Sequence, residues 1–216
     1  MTSPLCRLSL VTPVVDDPDA FAPVLAAACA SGNVAAVLLK LGAMDERRAI
    51  KAVKTLAPIA QEAGAALIVA APEQIAVRGG ADGAHVDMRG GKIEVLDDAV
   101  SQLKPQWIVG VGGLGSRHAA MEAGERDVDY IMFGEPRPDG SLPDFAGVLE
   151  RASWWAEIFA LPCVAFAPSL AEIGPLAAAR VEFVGLGDAV WSHPAGPAAA
   201  IEEAAAIVAA AASVRP

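Results

Sequence analysis

Two charged residues stand where short apolar runs of the sequence end, at positions suited to chemistry. Glu135 lies in a loop that Pro136 and Pro138 stiffen, and a carboxyl group held beneath an apolar mouth can have a raised pKa and act as acid or base. Lys40 can pair with phosphate or form a Schiff base. We therefore predict Glu135 as the acid or base and Lys40 as its charge partner. The alternatives are a solvated Glu135 that pairs with Arg137 and a solvated lysine.

A glycine-rich turn follows the fifth apolar run and leads directly into a helix that starts at Ser116. Its glycines include Gly112 and Gly113, and bare backbone N–H groups beside a helix N-terminus suit a phosphate or pyrophosphate. We predict a phosphate site from these three residues together with Arg137 in the next loop. The alternative is a tight strand-to-helix turn that requires positive φ angles.

Gly185 and Gly187 follow the last apolar run and form a second predicted phosphate contact. Barrels of alternating strands and helices often bind phosphate near strands seven and eight. Asp188 argues against this site, because a carboxylate next to the turn repels an anion.

Metal ligands are not evident in the sequence. No pair of carboxylates is obviously placed to hold Mg²⁺, and no histidine–cysteine cluster has the spacing of a zinc site. We therefore predict no metal ligand, and we expect His85 to be a hydrogen-bonded structural residue rather than a catalytic one.

The elements that must position these residues follow a regular pattern, in which short apolar runs alternate with stretches of helical spacing. Eight such units in 216 residues give roughly 27 residues each. We predict an α/β fold, a (β/α)8 TIM barrel, as a single domain over residues 1–216. An open doubly wound sheet is the alternative, because the third and fourth strands are brief. The predicted strands are 8–12, 35–39, 67–69, 82–86, 107–111, 128–133, 163–166 and 181–186.

Composition excludes several classes of protein. The chain is 54% hydrophobic and 19% charged, with a net charge of −10. Disorder is therefore excluded as the main state, nucleic-acid binding is disfavoured, and no apolar run approaches the roughly 20 residues that span a bilayer. Three scattered cysteines fit a reduced cytoplasmic chain. Trp154 and Trp155 can form a subunit interface, although one core and one partly exposed tryptophan is the favoured alternative.

Several stretches of the sequence together resemble the thiamine phosphate synthases. The resemblance implies the same barrel, a small-molecule substrate and a homodimer. Members of that family couple a pyrimidine pyrophosphate to a thiazole phosphate with Mg²⁺, and a sister branch tautomerises the thiazole with a histidine at the place of Glu135. The matching stretches are 8–12, 81–86, 108–111, 122–123, 129–134 and 161–165.

The family's pyrophosphate and metal motifs are replaced in this sequence. By the resemblance Mg²⁺ remains a possible cofactor, but its usual ligands are absent. We therefore expect a protein that binds a small heteroaromatic or phosphorylated ligand without Mg²⁺-dependent coupling. The alternatives are a non-catalytic binding or regulatory barrel and a tautomerase that uses Glu135. The replaced positions are Leu38, Lys40 and Gly42, Ala70 and Ala71, Gly90, Gly112, 139–142 and 167–169.

Overall fold

A computed structural model describes residues 6–213 as a closed parallel barrel of eight strands that alternate with helices. Each strand pairs with the next in sequence, and the first pairs with the eighth to close the ring. The predicted (β/α)8 barrel is therefore confirmed, and the open sheet is not formed. The strands are β1 (Arg7–Val15), β2 (Val34–Leu41), β3 (Ala66–Val69), β4 (Gly83–Asp87), β5 (Ile108–Gly112), β6 (Tyr130–Phe133), β7 (Cys163–Ala167) and β8 (Phe183–Leu186).

Helices cover the outside of the barrel. Their starts are encoded locally: the Asp17 carboxylate accepts hydrogen bonds from the N–H groups of Asp19 and Ala20 at 3.1 Å, and Pro18 occupies the first turn. No helix in residues 6–213 has the length and hydropathy needed to cross a membrane. The helices are α1 (Pro18–Cys29), α2 (Glu46–Glu62), α3 (Glu73–Gly79), α4 (Ile93–Leu103), α5 (Arg117–Gly124), α6 (Phe145–Ile158), α7 (Ile173–Ala178), α8 (Asp188–Trp191) and α9 (Pro197–Ser213).

The apolar core has two layers. The outer layer lies between the strands and the helices, and it includes Trp155, which is 1% exposed, whereas Trp154 is only partly buried. The inner layer fills the barrel, so the interior is packed rather than a pore. Its buried members are Val11, Leu38, Ile68, Met132, Val164 and Phe166.

A bulge in β1 shapes the rim of the barrel where β1 and β2 end. The register between β1 and β2 shifts between Val11 and Val14, around Pro13, which has no N–H to donate. At this bulge the Thr12 hydroxyl joins the two strands, because it accepts a hydrogen bond from the Lys40 backbone N–H at 2.9 Å. β1 therefore runs beyond its predicted end at residue 12, and its pairing with β2 places Lys40 of β2 at the rim.

Candidate active site

The carboxyl ends of β2, β3 and β4 surround a cavity of about 600 Å³, which we call the mouth cavity. Much of its wall is apolar, and this suits a small organic ligand with a few polar anchors. The polar side chains in the wall are those of Lys40, Glu73, His85, Asp87 and Arg89. The structure thus places Lys40 where the sequence predicts, at the mouth, and adds a charged pair after β4.

Arg89 forms the main charged contact of this region. Its Nε lies 2.9 Å from both carboxylate oxygens of Asp87, and one terminal nitrogen lies 2.6 Å from Oδ2. The other terminal nitrogen donates to the Pro136 carbonyl at 3.0 Å, which ties the loop after β4 to the loop after β6. Burial raises the pKa of Asp87, but the hydrogen bonds from Arg89 outweigh it and leave that pKa below its ordinary value.

Glu135 lies directly above the last residue of β5. Its carboxylate accepts a hydrogen bond from the Gly113 backbone N–H, and Gly113 has a φ of 72°, which directs this N–H toward the β6 loop. Burial raises the pKa of Glu135, although Gly113 and Arg89 favour the charged form. The predicted alternative, in which Glu135 pairs with Arg137, is not what the structure shows.

His85 approaches the same point from below. A Cβ atom on Gly112 would lie 2.7 Å from His85 Nε2 and would also collide with Glu135 Oε1, so the two groups flank this glycine. The other ring nitrogen, Nδ1, lies 3.0 Å from the Tyr130 hydroxyl. Burial lowers the pKa of His85 to about 4, so the ring is neutral at physiological pH.

Tyr130 reaches His85 because Gly110 has no side chain. A Cβ atom on Gly110 would overlap the Tyr130 ring. Burial also raises the pKa of Tyr130 far above its usual range, so the hydroxyl keeps its proton. The glycines of β5 thus make room for one polar stack inside the barrel: Tyr130, then His85, then Glu135.

A second cavity, of about 320 Å³, lies between the loops after β5 and β6 and the start of α6. We call it the arginine cavity, because Arg89, Arg137 and Arg151 all line it. Arg137 donates hydrogen bonds to Ser141 Oγ at 3.1 Å and to the Leu142 carbonyl at 3.2 Å. Arg89 also lines the mouth cavity, so the two spaces meet at its side chain.

The predicted phosphate residues are divided between two sides of the barrel. Gly112, Gly113 and Arg137 lie together with Glu135 on the β5–β6 side. Ser116 is the N-cap of α5, and its hydroxyl accepts a hydrogen bond from the Ala119 N–H at 3.1 Å.

Gly185 and Gly187 lie on another side and face the apolar interior. A Cβ atom on Gly185 would lie 3.2 Å from Val164 and 3.3 Å from Met132, and one on Gly187 would lie 3.0 Å from the Phe166 ring. Their role in phosphate binding therefore stays a prediction without a cationic side chain to support it.

The donor set at the mouth does not fit magnesium. Among residues 6–213, no group of three or more histidine, cysteine, aspartate or glutamate side chains is placed to hold a metal ion. The one aspartate in the wall of the mouth cavity, Asp87, already has both oxygens on the Arg89 guanidinium. Mg²⁺ is usually held by one or two carboxylates together with waters and substrate phosphates. With Asp87 engaged by Arg89, the described wall of the mouth cavity offers it the Glu73 carboxylate alone.

Three site residues were not predicted from the sequence. The sequence does contain a signal for Arg89, because this residue lies two positions after a strand that ends in an aspartate and an ion pair between the two can be expected there. Tyr130 carries no such signal, because its contact with His85 depends on the glycine opposite it across the sheet. Arg151 lies within a helix, one turn after Gly147, and only the fold brings it to the loops after β5 and β6.

Comparison with protein families shows a consistent similarity. The sequence model of the thiamine monophosphate synthase family matches residues 8–190. A thiamine-phosphate synthase of Rhodospirillum centenum is 40% identical over 200 residues, which cover 92% of this chain and 95% of the relative. One of Hyphomonas neptunium is 33% identical over 208 residues, which cover 92% and 91%.

Solved structures show the same architecture. A thiamine phosphate pyrophosphorylase of Pyrococcus furiosus superposes with a TM-score of 0.75 at 21% identity, and the match covers 95% of this chain and 96% of that one. A 3-hexulose-6-phosphate synthase superposes with a TM-score of 0.72 at 19% identity and covers 93% and 99%. At these identities the likeness establishes the barrel fold.

Proposed function

The chain belongs to the thiamine monophosphate synthase family, and we propose that it binds a phosphorylated heteroaromatic compound at the barrel mouth and moves a proton on it through Glu135. The proposal rests on the surroundings of the Glu135 carboxyl group. Its carboxyl group is fixed by the Gly113 N–H, has a raised pKa, and lies beside the neutral ring of His85. A carboxyl group in such a setting suits general acid–base catalysis near neutral pH.

In this proposal Glu135 takes a proton from one atom of the bound ring and returns one to a neighbouring atom. One C–H or N–H bond of the ring breaks and another forms, so the compound gains and loses no atoms. The reaction is therefore a tautomerisation, and it needs no co-reactant. The Gly113 N–H stabilises the carboxylate while it holds the negative charge. His85 Nε2 supplies a second polar contact on the same side, and the Tyr130 hydroxyl positions its ring.

Coupling of a pyrimidine pyrophosphate to a thiazole phosphate is the second candidate function. It is favoured by the printed names of the curated relatives, which are thiamine-phosphate synthases. The donor set argues against it, because Asp87 is engaged by Arg89 and, among the described residues, the mouth cavity offers Mg²⁺ the Glu73 carboxylate alone. No step of the proposed mechanism therefore uses a metal.

Thermal shift separates the two candidates, because a ligand that binds only the folded state raises the Tm. Thiazole phosphate, pyrimidine pyrophosphate and pyrophosphate are each added with and without Mg²⁺. We expect stabilisation by the thiazole phosphate that does not depend on Mg²⁺. Stabilisation by the pyrimidine pyrophosphate that requires Mg²⁺ would favour coupling, and no shift with any compound would favour a non-catalytic barrel.

The acid–base role is tested separately, by exchange of solvent deuterium into the bound compound. Glu135→Gln keeps an oxygen that can accept the Gly113 N–H but cannot carry the proton. Glu202→Gln is the matched control, because Glu202 is exposed on α9, away from both cavities.

Two further expectations accompany the proposal, a homodimer and a cytoplasmic location. Trp154 is partly exposed on α6, where Arg117 lies 4.8 Å from the centre of its ring. This supports the predicted alternative of one core and one partly exposed tryptophan and gives no dimer surface by itself. Analytical ultracentrifugation tests the dimer directly.

A further inference from the structure

A further cavity, of about 370 Å³, lies at the amino ends of the strands, at the opposite end of the barrel from the mouth. We call it the basal cavity. Its wall is mainly apolar, and in the described part of the chain it shares no lining residue with the mouth cavity or the arginine cavity. The inner core layer separates it from the mouth, since Leu38, Ile68 and Val164 of that layer form its inner end.

The basal cavity exists because one row of inward-facing positions carries small side chains. Ser9, Ala36 and Ala66 are register partners across β1, β2 and β3, so they lie side by side on the inner surface of the sheet. Larger side chains, those of Ile108 and Phe183, complete the wall from β5 and β8. A (β/α)8 barrel is normally filled by layers of bulky side chains. The row of small side chains leaves the lowest layer incomplete, and the hollow is therefore encoded in the sequence.

Ser9 places an unpartnered hydroxyl in this apolar wall. Its neighbours Leu8 and Leu10 belong to the outer core layer, so the alternation along β1 directs Ser9 into the barrel. The residue is 6% exposed, and its hydroxyl forms no hydrogen bond with any residue in 6–213. A buried hydroxyl without a partner is costly. Its position in the cavity wall therefore indicates a ligand with a polar atom that pairs with it.

Arg7 provides a free positive charge at the entrance of the basal cavity. It is exposed, and it lies two residues before Ser9 on the same face of β1. Among the described residues it forms no ion pair. The Asp129 carboxylate in the same wall is already engaged, because it accepts a hydrogen bond from the Val109 N–H at 2.7 Å and pairs with Lys104 at 2.6 Å. The charge open to a ligand is therefore the guanidinium.

These groups define the chemistry of the ligand. A guanidinium and a hydroxyl on one strand, beside a mainly apolar space, suit a molecule with one anionic group and an apolar body. The guanidinium fork matches the two oxygens of a carboxylate. A phosphate dianion fits less well, because its third oxygen would be left without a donor against an apolar wall.

We propose that the basal cavity binds a small monocarboxylate whose apolar body is the size of a single aromatic ring, with its carboxylate on Arg7 and Ser9. This site goes beyond the proposed function, which concerns the opposite end of the barrel. The two ends meet at one side chain: Tyr130 lines the basal cavity, and its hydroxyl lies 3.0 Å from His85 Nδ1. A ligand in the basal cavity therefore changes the surroundings of the Tyr130 ring.

Titration with benzoate at neutral pH, followed by the ring signals of Tyr130 in ¹³C–¹H NMR spectra, tests the proposal. The sequence has a single tyrosine, so these signals report occupation of the cavity without a competing assignment. We expect saturable shifts with benzoate. Benzamide, which has the same shape and no charge, is expected to bind about tenfold or more weakly, the effect of losing a charged hydrogen bond.

Two variants test the charge and the hollow separately. Arg7→Gln is expected to weaken benzoate binding about tenfold or more, with Arg47→Gln on the exposed surface of α2 as its control. Ala36→Leu fills the hollow and is expected to abolish the shifts, with Ala206→Leu on the exposed face of α9 as its control. Both controls are expected to bind benzoate like the unaltered protein. Thermal unfolding without benzoate identifies a variant that fails to fold, and Arg7→Gln decides the proposal if Ala36→Leu does so.

The contrary outcomes are distinct. Equal affinities for benzoate and benzamide, with no effect of Arg7→Gln, would reduce the cavity to an apolar hollow and overturn the carboxylate site. Shifts that persist in folded Ala36→Leu would place benzoate elsewhere and also overturn it. No shift in the unaltered protein would do the same, and a shift that appears only in Leu5→Ser would identify the residues before Cys6 as the occupant.

Discussion

The Nδ1 atom of His85 and the hydroxyl of Tyr130 lie 3.0 Å apart inside the barrel, in hydrogen-bond contact. His85 is 7% exposed, and with its pKa lowered to about 4 by burial it is a neutral ring that needs a polar partner. Tyr130 supplies this partner from β6. The contact fixes the orientation of the ring and presents Nε2 to the mouth beside Glu135.

Tyr130→Phe removes the hydroxyl and keeps the ring. We expect a loss of about 1–3 kcal/mol in the free energy of unfolding, because His85 Nδ1 is left buried without a partner. Urea denaturation measures the loss, and the ¹⁵N shifts of the imidazole report the change of its tautomer. Unchanged stability and unchanged shifts would show that the two groups do not depend on each other.

Gly110→Ala tests the space that Tyr130 occupies. The new Cβ would overlap the Tyr130 ring, so we expect a loss of about 1–3 kcal/mol or more in the free energy of unfolding. Gly174→Ala is the control, because nothing lies within 4 Å of its Cβ position and it belongs to α7. It is expected to be neutral or to stabilise by up to about 1 kcal/mol. Equal effects of the two changes would contradict this account of β5.

Asp87→Asn releases the Arg89 guanidinium from its ion pair. We expect inorganic phosphate to bind about three- to tenfold more tightly, because one negative charge near the cavities is removed. Isothermal titration measures the change. Asp97→Asn, at an exposed position whose carboxylate pairs with Arg126 at 3.1 Å, is the control and is expected to have no effect. Weaker phosphate binding in Asp87→Asn would show that Asp87 holds Arg89 in its productive position.

The raised pKa of Glu135 predicts a pH dependence of stability. The folded protein binds this proton more tightly than the unfolded chain, so the contribution is complete below the ordinary value of 4.5 and decreases as the pH rises through the raised value. Glu135→Gln removes this dependence. We therefore expect the Tm of the variant to rise relative to the unaltered protein between pH 4.5 and pH 8. A constant difference over that range would show that the pKa of Glu135 is not raised.

The sequence is sufficient to predict the barrel, because the strands and helix starts are encoded locally. Asp17 and Ser116 both cap the helices expected to follow them. Strand ends are less predictable. β1 extends past Pro13, because the Thr12 hydroxyl accepts the Lys40 N–H across the irregular register with β2. β6 begins two residues later than predicted, at Tyr130; the Asp129 carboxylate just before it accepts the Val109 N–H at 2.7 Å.

The site is less predictable than the fold, because its groups meet only across the sheet. Glu135 is evident from its strand-end position and two flanking prolines, but its contact with the Gly113 N–H requires β5 and β6 to be neighbours. Gly110 makes room for the Tyr130 ring only because the two residues are register partners in β5 and β6. Arg151, on the face of α6, has no strand-end signal at all.

The central claim is that Glu135 transfers the proton, and exchange of solvent deuterium into bound thiazole phosphate tests it most directly. The account predicts that Glu135→Gln slows exchange about a hundredfold or more, that Glu202→Gln leaves the rate unchanged, and that both variants still bind the compound in thermal shift. An exchange rate in Glu135→Gln equal to that of the unaltered protein, with binding intact, would contradict the claim.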